Sequence, residues 1–402
     1  MKKVLVPEKL TLPSLFSPPL LIAFFVFILI GISTGISGVL LPSLSAYYHV
    51  NNSVLGLLFL VPSIGYFLSA LTAGMLIERL GMRGFLLVGA GIFVLGAFAF
   101  GLKPPFALVL MTRFALGLGV GMMETGLNIF ISNEPRSASR LNYLHAFYGV
   151  GALLGPVLAS TILVLRWDWN IVYLLLGGLS VPMLLGFWFA FTRPIPTSDP
   201  VTQEVQREKS VGLGATLKLG IVWLATLFLL FYVGVEVSLG NWSYTYLLAE
   251  RHQNALVGGW IVSGYWFGLT MGRFVLQGAT ARLGISDTQL VYGCITGVII
   301  GIALIWFVPL GAVAALGFWL IGFSLGPIYP LTIALMPKLV PTRIAASAIG
   351  FVIGVSIIGL ALFPWVAGIL AQQVGIWSLL PYSIALAIVM FGLWRSLWRE
   401  GK

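Results

Sequence analysis

Residues 74–83 read GMLIERLGMR, and residues 278–284 read GATARLG. Each stretch ends an apolar run on Arg-Leu-Gly, and the two copies lie half a chain apart. In the first copy two glycines bracket the pair Glu78–Arg79, and Arg83 follows. Glycine permits a sharp reversal and lets helices approach closely. The second copy lacks the acid and is one position shorter. A charged, glycine-bounded turn at matching points of two halves sets the register in which the rest of the chain is read.

The composition decides the solvent. Of 402 residues, 59% are hydrophobic and only 8% are charged, with a mean hydropathy of +1.03. A water-facing globule carries roughly a quarter charged residues, so that class is excluded. Apolar runs of about 20 residues recur, the length that crosses a bilayer core as helix. The chain is therefore an all-α polytopic membrane protein, and its 48 glycines suit close helix packing. Twelve spans emerge, near 20–46, 54–77, 84–102, 106–132, 141–165, 170–192, 218–247, 255–280, 288–307, 310–336, 344–371 and 376–397.

The segment RPIPTSDPVTQEVQREKSVG, beginning at Arg193, is polar and proline-containing, as solvated linkers are. It makes 193–217 a linker between an N-terminal six-helix bundle (1–192) and a C-terminal one (218–402). Two six-span repeats around a midplane site are a common transporter plan. The N-terminal MKKVLVPEKL has the basic start of a signal peptide. The apolar segment from about Leu20 to Leu44 lacks a small-residue cleavage pattern and is long enough to span, so it reads as a retained first helix.

Charge sets the expected orientation. With a cytoplasmic N-terminus, seventeen Lys and Arg lie on that side and only Lys103, Arg166 and Arg251 opposite, while Arg113 and Arg273 fall within spans. The positive-inside rule then predicts cytoplasmic termini and linker. The net charge of +10 reflects loops facing an anionic leaflet, not nucleic acid. The lone Cys294 forms no intramolecular disulfide. Metalloprotease, serine-nucleophile and phosphate-loop patterns are absent. No enzyme, cofactor or metal site is expected, and active transport would draw on an ion gradient.

Span four reads MTRFALGLGVGMMETGLNIFIS from Met111. Arg113, Gly117, Gly121, Glu124 and Asn128 follow spacings of 4, 4, 3 and 4 and share one helix face. Arg113 and Glu124 are about 16 Å apart along the axis, so each needs another partner or water. Ionisable groups within a bilayer face a cavity or the bundle interior. Glu124 is thus a substrate or coupling carboxylate or a structural polar contact, and Arg113 a coupling or helix-packing cation.

Glu236 is the other acid within a span, and Asn241, Trp242, Tyr244 and Tyr246 follow it. Rings beside amide and carboxylate groups suit sugars, which stack through C–H faces and hydrogen-bond through hydroxyls. Tyr244 and Tyr246 read as an interfacial belt. His145 in span five is either a titrating group or a core histidine, and Gly151 to Pro156 form a flexing or packing element. Tyr329 sits between proline interruptions in LGPIYPLTIALMP, where freed carbonyls are tolerated along a cavity. Tyr265 and Trp266 line that cavity or pack.

GMLIERLGMR, taken with twelve spans, resembles the signature loop of the major facilitator superfamily. The resemblance implies a cytoplasmic gate of Gly74, Glu78, Arg79, Gly81 and Arg83, whose charges latch helix ends. RFALGLGVG is similar to that superfamily's span-four arginine with trailing glycines. METGLNIFIS, YVGVEVSLGNW and LGPIYPLTIAL resemble the fucose- and glucose-permease branch. That branch implies an alternating-access carrier with its sugar in a central cavity, with Glu124 in sugar binding and proton coupling and Asn128 beside it; a monomer in the cell membrane is expected. Its proton-coupled members carry an aspartate in span one, four residues before a proline, where SGVLLPSL places Gly38. The proton then falls to Glu124 or Glu236, or the carrier uses sodium or no ion. The expectation is a secondary transporter of a sugar or similar small polar solute. A drug or amphipathic-metabolite efflux antiporter and a transport-inactive sensor are the alternatives.

Overall fold

A computed structural model describes residues 17–134, 137–191 and 214–400. Most of the expected linker and the basic N-terminal residues lie outside the described residues. Among the described residues there are helices and no strands.

Ten segments of the described residues are long and apolar enough to cross a membrane. One of them, Asn52–Gly101, has 50 residues, about 75 Å of helix at 1.5 Å per residue against a core of about 30 Å. It must cross twice. The reversal falls at Gly81, whose φ of 69° and ψ of 164° break an otherwise helical run. That backbone region is essentially confined to glycine. The GMLIERLGMR stretch is thus helical on both sides of one residue, not an extended loop. Ala255–Leu283, 29 residues long, brings the crossings to twelve.

Spans four to nine are Phe106–Ser132, Ser137–Val164, Asn170–Ala190, Gly220–Ala249, Ala255–Leu283 and Asp287–Phe307. Span twelve is Leu379–Glu400. Span two is interrupted at Gly56, and three other spans are broken. Span one passes from Pro18–Val39 to Leu41–Tyr48 at Leu40, with Pro42 in the first turn of the second piece. Span ten divides into Gly311–Leu325 and Ile328–Leu339 around Gly326–Pro327, and span eleven into Ala345–Ser356 and Ile358–Gln373. Proline removes a helical donor and crowds the preceding turn, which accounts for the first two breaks.

The repeat is visible in backbone detail. Spans two and eight both end at Arg-Leu-Gly, and their glycines Gly81 and Gly284 have φ of 69° and 66°. Both spans also begin alike. His49 and His252 take left-handed φ of 54° and 50°. Two residues later Asn51 and Asn254 cap the new helix, accepting from Val54 N at 3.0 Å and Val257 N at 2.9 Å. An asparagine cap satisfies an otherwise orphaned helical N–H.

Contact between the halves gathers at the end opposite the termini. There Asn52 N donates to Gln372 Oε1 at 3.1 Å, Phe59 meets Trp242 with ring centroids 6.3 Å apart, and Gly56 lies against Trp365. Spans five and eight stay together to mid-span. Ser263 Oγ donates to Leu153 O at 2.7 Å, and Gly149 lies against Thr270.

Candidate functional site

Glycines on span four determine what Glu124 meets. A Cβ on Gly117 would overlap Pro62, and one on Gly121 would lie 2.9 Å from the Tyr66 Cα. These glycines let span two pack directly on span four, and the packing carries Tyr66 beside Glu124. The Tyr66 phenol interacts with the Glu124 carboxylate. Tyr148 of span five and Tyr329 of span ten lie within electrostatic range of it. Tyr148 is placed by span one, since Gly31 sits on the Tyr148 carbonyl and Gly151 on that of Ile28. The Gly151 to Pro156 segment therefore packs against span one. Among the described residues, no cation forms an ion pair with Glu124.

Glu236 has a different surrounding. Tyr232, Glu236 and Gly240 recur every four residues and share a face of span seven. Across from them, Arg273 of span eight places Nη2 3.9 Å from Glu236 Oε1. The Arg273 side chain keeps 30% of its surface and Glu236 15%, although both lie deep within membrane spans. Tyr265 is fully buried and donates its hydroxyl to the Glu236 carbonyl at 2.7 Å, fixing that turn of span seven. Tyr232 and Tyr329 stand 6.0 Å apart by ring centroid. Tyr148 and Tyr329 lie within range of both acids and of Arg273. The two acids thus share tyrosine neighbours, Tyr148 from the first half and Tyr329 from the second.

The Tyr232 hydroxyl interacts with both Glu236 and Arg273, while the Arg273 Nε is buried without a partner. An unpaired buried donor costs about 1–3 kcal/mol, so Arg273 retains unused hydrogen-bonding capacity. His145 is exposed, stands edge-on to Phe27 at 5.6 Å and lies within electrostatic range of Arg273. Tyr66, Tyr148, Tyr232 and Arg273 were not among the candidates from sequence. Arg273 carried a usable signal, being one of two basic residues inside a span.

Other candidates are elsewhere. Arg113 is buried at 7% exposure, and its donors all reach neutral acceptors. Nε and Nη2 approach Leu58 O at 3.2 and 2.9 Å, Nη1 approaches the Tyr173 hydroxyl at 3.0 Å, and both Nη atoms lie 3.5 Å from Ser37 Oγ. The Leu58 carbonyl needs this partner, because its helical donor would be the nitrogen of Pro62, which has no hydrogen. Trp242 is fully buried and gives its indole N–H to Pro364 O at 2.9 Å. Asn128 and Asn241 are half-buried.

Gly38 backs onto the Asn241 backbone, where a Cβ would lie 2.9 Å from the Asn241 carbonyl carbon. No side chain fits between spans one and seven there. At the Gly74–Arg83 turn, Glu78 and Arg79 are exposed and form no ion pair among the described residues. Arg83 instead lies 4.2 Å over the Trp188 ring.

This chain is 25% identical to Bypass of stop codon protein 6 of Saccharomyces cerevisiae, over 92% of its own length and 80% of that protein's. It is 24% identical to a glucose/galactose transporter of Brucella abortus over 91% of each. It is 26% identical to the multidrug resistance protein MdtL of Escherichia coli over 85% of each. Among solved structures it is similar to a D-xylose-proton symporter, with a TM-score of 0.74 at 16% identity over 93% of this chain and 97% of that one. Residues 23–353 match the model of the Major Facilitator Superfamily, and the chain belongs to that superfamily.

Proposed function

We propose that the protein is a proton-coupled carrier of a sugar or similarly small polar solute. The solute would bind in the space between Glu124 and Glu236. The observation that carries this reading is the lining of that space: two acids, an arginine and the tyrosines Tyr66, Tyr148, Tyr232 and Tyr329. Phenol rings stack on the C–H faces of a sugar, while their hydroxyls and the charged groups meet its oxygens. The similarity to a glucose/galactose transporter points the same way. The similarity to MdtL raises efflux of an amphipathic compound, and a lining this rich in hydroxyls and charges favours the polar solute.

The closed end opposite the termini fits one state of an alternating-access cycle. With cytoplasmic termini and linker, as the positive charges demand, that state faces the cytoplasm. In the proposed cycle Glu124 takes a proton together with the solute. Its surroundings offer tyrosine hydroxyls and, among the described residues, no ion-paired cation.

Glu124→Gln keeps the shape of the side chain and removes the titration. Uptake driven by an imposed proton gradient into proteoliposomes should fall at least ten-fold, with counterflow exchange retained. Proton-driven uptake of wild-type magnitude in that variant would overturn Glu124 as the coupling group. A panel of hexoses, deoxyhexoses and cationic drugs, under proton and sodium gradients, tests the solute class and the ion together.

A further inference from the structure

We propose that the second half, at its end opposite the termini, carries a binding site for a zwitterionic phospholipid headgroup. A cavity of about 180 Å³ lies there, lined by Tyr246, Glu250 and Arg251 at the end of span seven, Trp306 at the end of span nine, and Trp377 and Leu380 where span twelve begins. A single water needs about 10–15 Å³ of such volume, so the cavity admits a polyatomic group.

Local structure builds the site. Gly375 takes φ of 116° and ψ of 156° at the turn into span twelve, a backbone region essentially confined to glycine. Trp377 packs on that glycine, where a Cβ would lie 2.9 Å from Trp377 Cδ1, and its N–H goes to Val374 O at 3.0 Å. Arg251 is held from two sides. Nε donates to the Tyr246 hydroxyl at 3.1 Å and Nη2 to Trp306 O at 3.2 Å. Both acceptors are neutral, and Nη1 makes no hydrogen bond among the described residues. Glu250 stands at the C-terminal end of span seven, where the helix dipole disfavours a negative charge. It is exposed and forms no ion pair among the described residues.

The first half treats the same place differently. At the corresponding ends of spans one, three and six, Lys103 Nζ meets Asp168 Oδ2 at 2.5 Å and lies 5.3 Å from the Tyr47 ring centroid. Cation and anion there satisfy each other. In the second half they are chain neighbours that line one cavity without pairing. A ligand with both charges completes two pairs at once, its phosphate oxygens on Arg251 and its ammonium on Glu250. The rings of Trp306 and Trp377 offer the ammonium a further aromatic contact. The rim identifies the source. Trp306, Phe307 and Trp377 are exposed, and the first two stack with centroids 5.7 Å apart. Exposed tryptophan at a span end sits at headgroup depth, where a lipid presents its phosphate and ammonium.

Native mass spectrometry tests the site on full-length protein released from nanodiscs with equal phosphatidylethanolamine, phosphatidylcholine and phosphatidylglycerol. Wild type should retain the two zwitterionic lipids about ten-fold more often than phosphatidylglycerol. Glu250→Gln keeps the phosphate partner and removes the ammonium partner, so the ratio should fall to about one. Arg251→Gln should lower retention of all three lipids about ten-fold. Lys103→Gln, at the matching point of the first half, should keep the wild-type pattern. Glycerophosphoethanolamine, the same headgroup without acyl chains, should bind about a hundred-fold more weakly than short-chain phosphatidylethanolamine. A wild-type preference for phosphatidylglycerol, or a ratio unmoved in Glu250→Gln, would overturn the site. A Lys103→Gln change as large as that of Glu250→Gln would do the same. Equal binding of glycerophosphoethanolamine would overturn the lipid as its ligand. Glu250 is exposed, so its variant decides the proposal even where Arg251→Gln fails to fold.

Discussion

Arg113 and Arg273 both lie in membrane spans well away from the ends that carry the basic clusters, and their surroundings differ in kind. Arg113 is surrounded by neutral acceptors from spans one, two and six, which take all of its donors. Arg273 has one long contact to an acid and an unsatisfied Nε, and nearly a third of its side chain remains open. The first repairs a defect in the backbone, since it caps a carbonyl that Pro62 leaves unpaired. The second keeps unused bonding capacity beside a carboxylate. Sequence alone makes the two residues look alike. The difference between a saturated cation and an available one lies in whether its hydrogen bonds are complete.

The comparison can be broken most directly at Arg113. Arg113→Met leaves the Leu58 carbonyl, the Tyr173 hydroxyl and Ser37 without their partner, and should cost more than about 3 kcal/mol. Thermal unfolding followed by size-exclusion chromatography in detergent would register it as a large fall in folded yield, whereas Arg273→Met should leave yield near wild type. Tyr173→Phe removes one charge-assisted bond and should cost about 1.5–2 kcal/mol by the same measurement. Adding Pro62→Ala to Arg113→Met returns a helical donor to Leu58 and should recover about 1 kcal/mol. A double variant no better than the single one would refute the capping role. Ser37→Ala deletes two contacts at 3.5 Å, too long to be strong, and should shift stability by a few tenths of a kcal/mol.

Much of the fold was legible because it depends on single residues and on length. Apolar runs marked the spans, and Arg-Leu-Gly marked the two reversals. A second echo, His49-Val50-Asn51 against His252-Gln253-Asn254, emerged only from the structure, as matching left-handed histidines and asparagine caps. The site was less legible. Helical periodicity put Arg113, Gly117, Gly121 and Glu124 on one face, but periodicity does not name the helix that covers a face. Span two covers it, and only that contact reveals Tyr66. Tyr232 stands one turn before Glu236 on the same helix and was readable from spacing, whereas Arg273 meets Glu236 only through the packing of span eight on span seven. Trp242 read as a sugar-stacking ring, and the structure places it against Phe59 with its N–H on Pro364.

The contact of Gly38 with the Asn241 backbone has a mechanical consequence. A Cβ at position 38 would run into the Asn241 carbonyl, so any side chain there would wedge spans one and seven apart. The absence of a side chain therefore acts as a latch: it lets the two backbones touch and holds these spans together with no polar bond between them among the described residues.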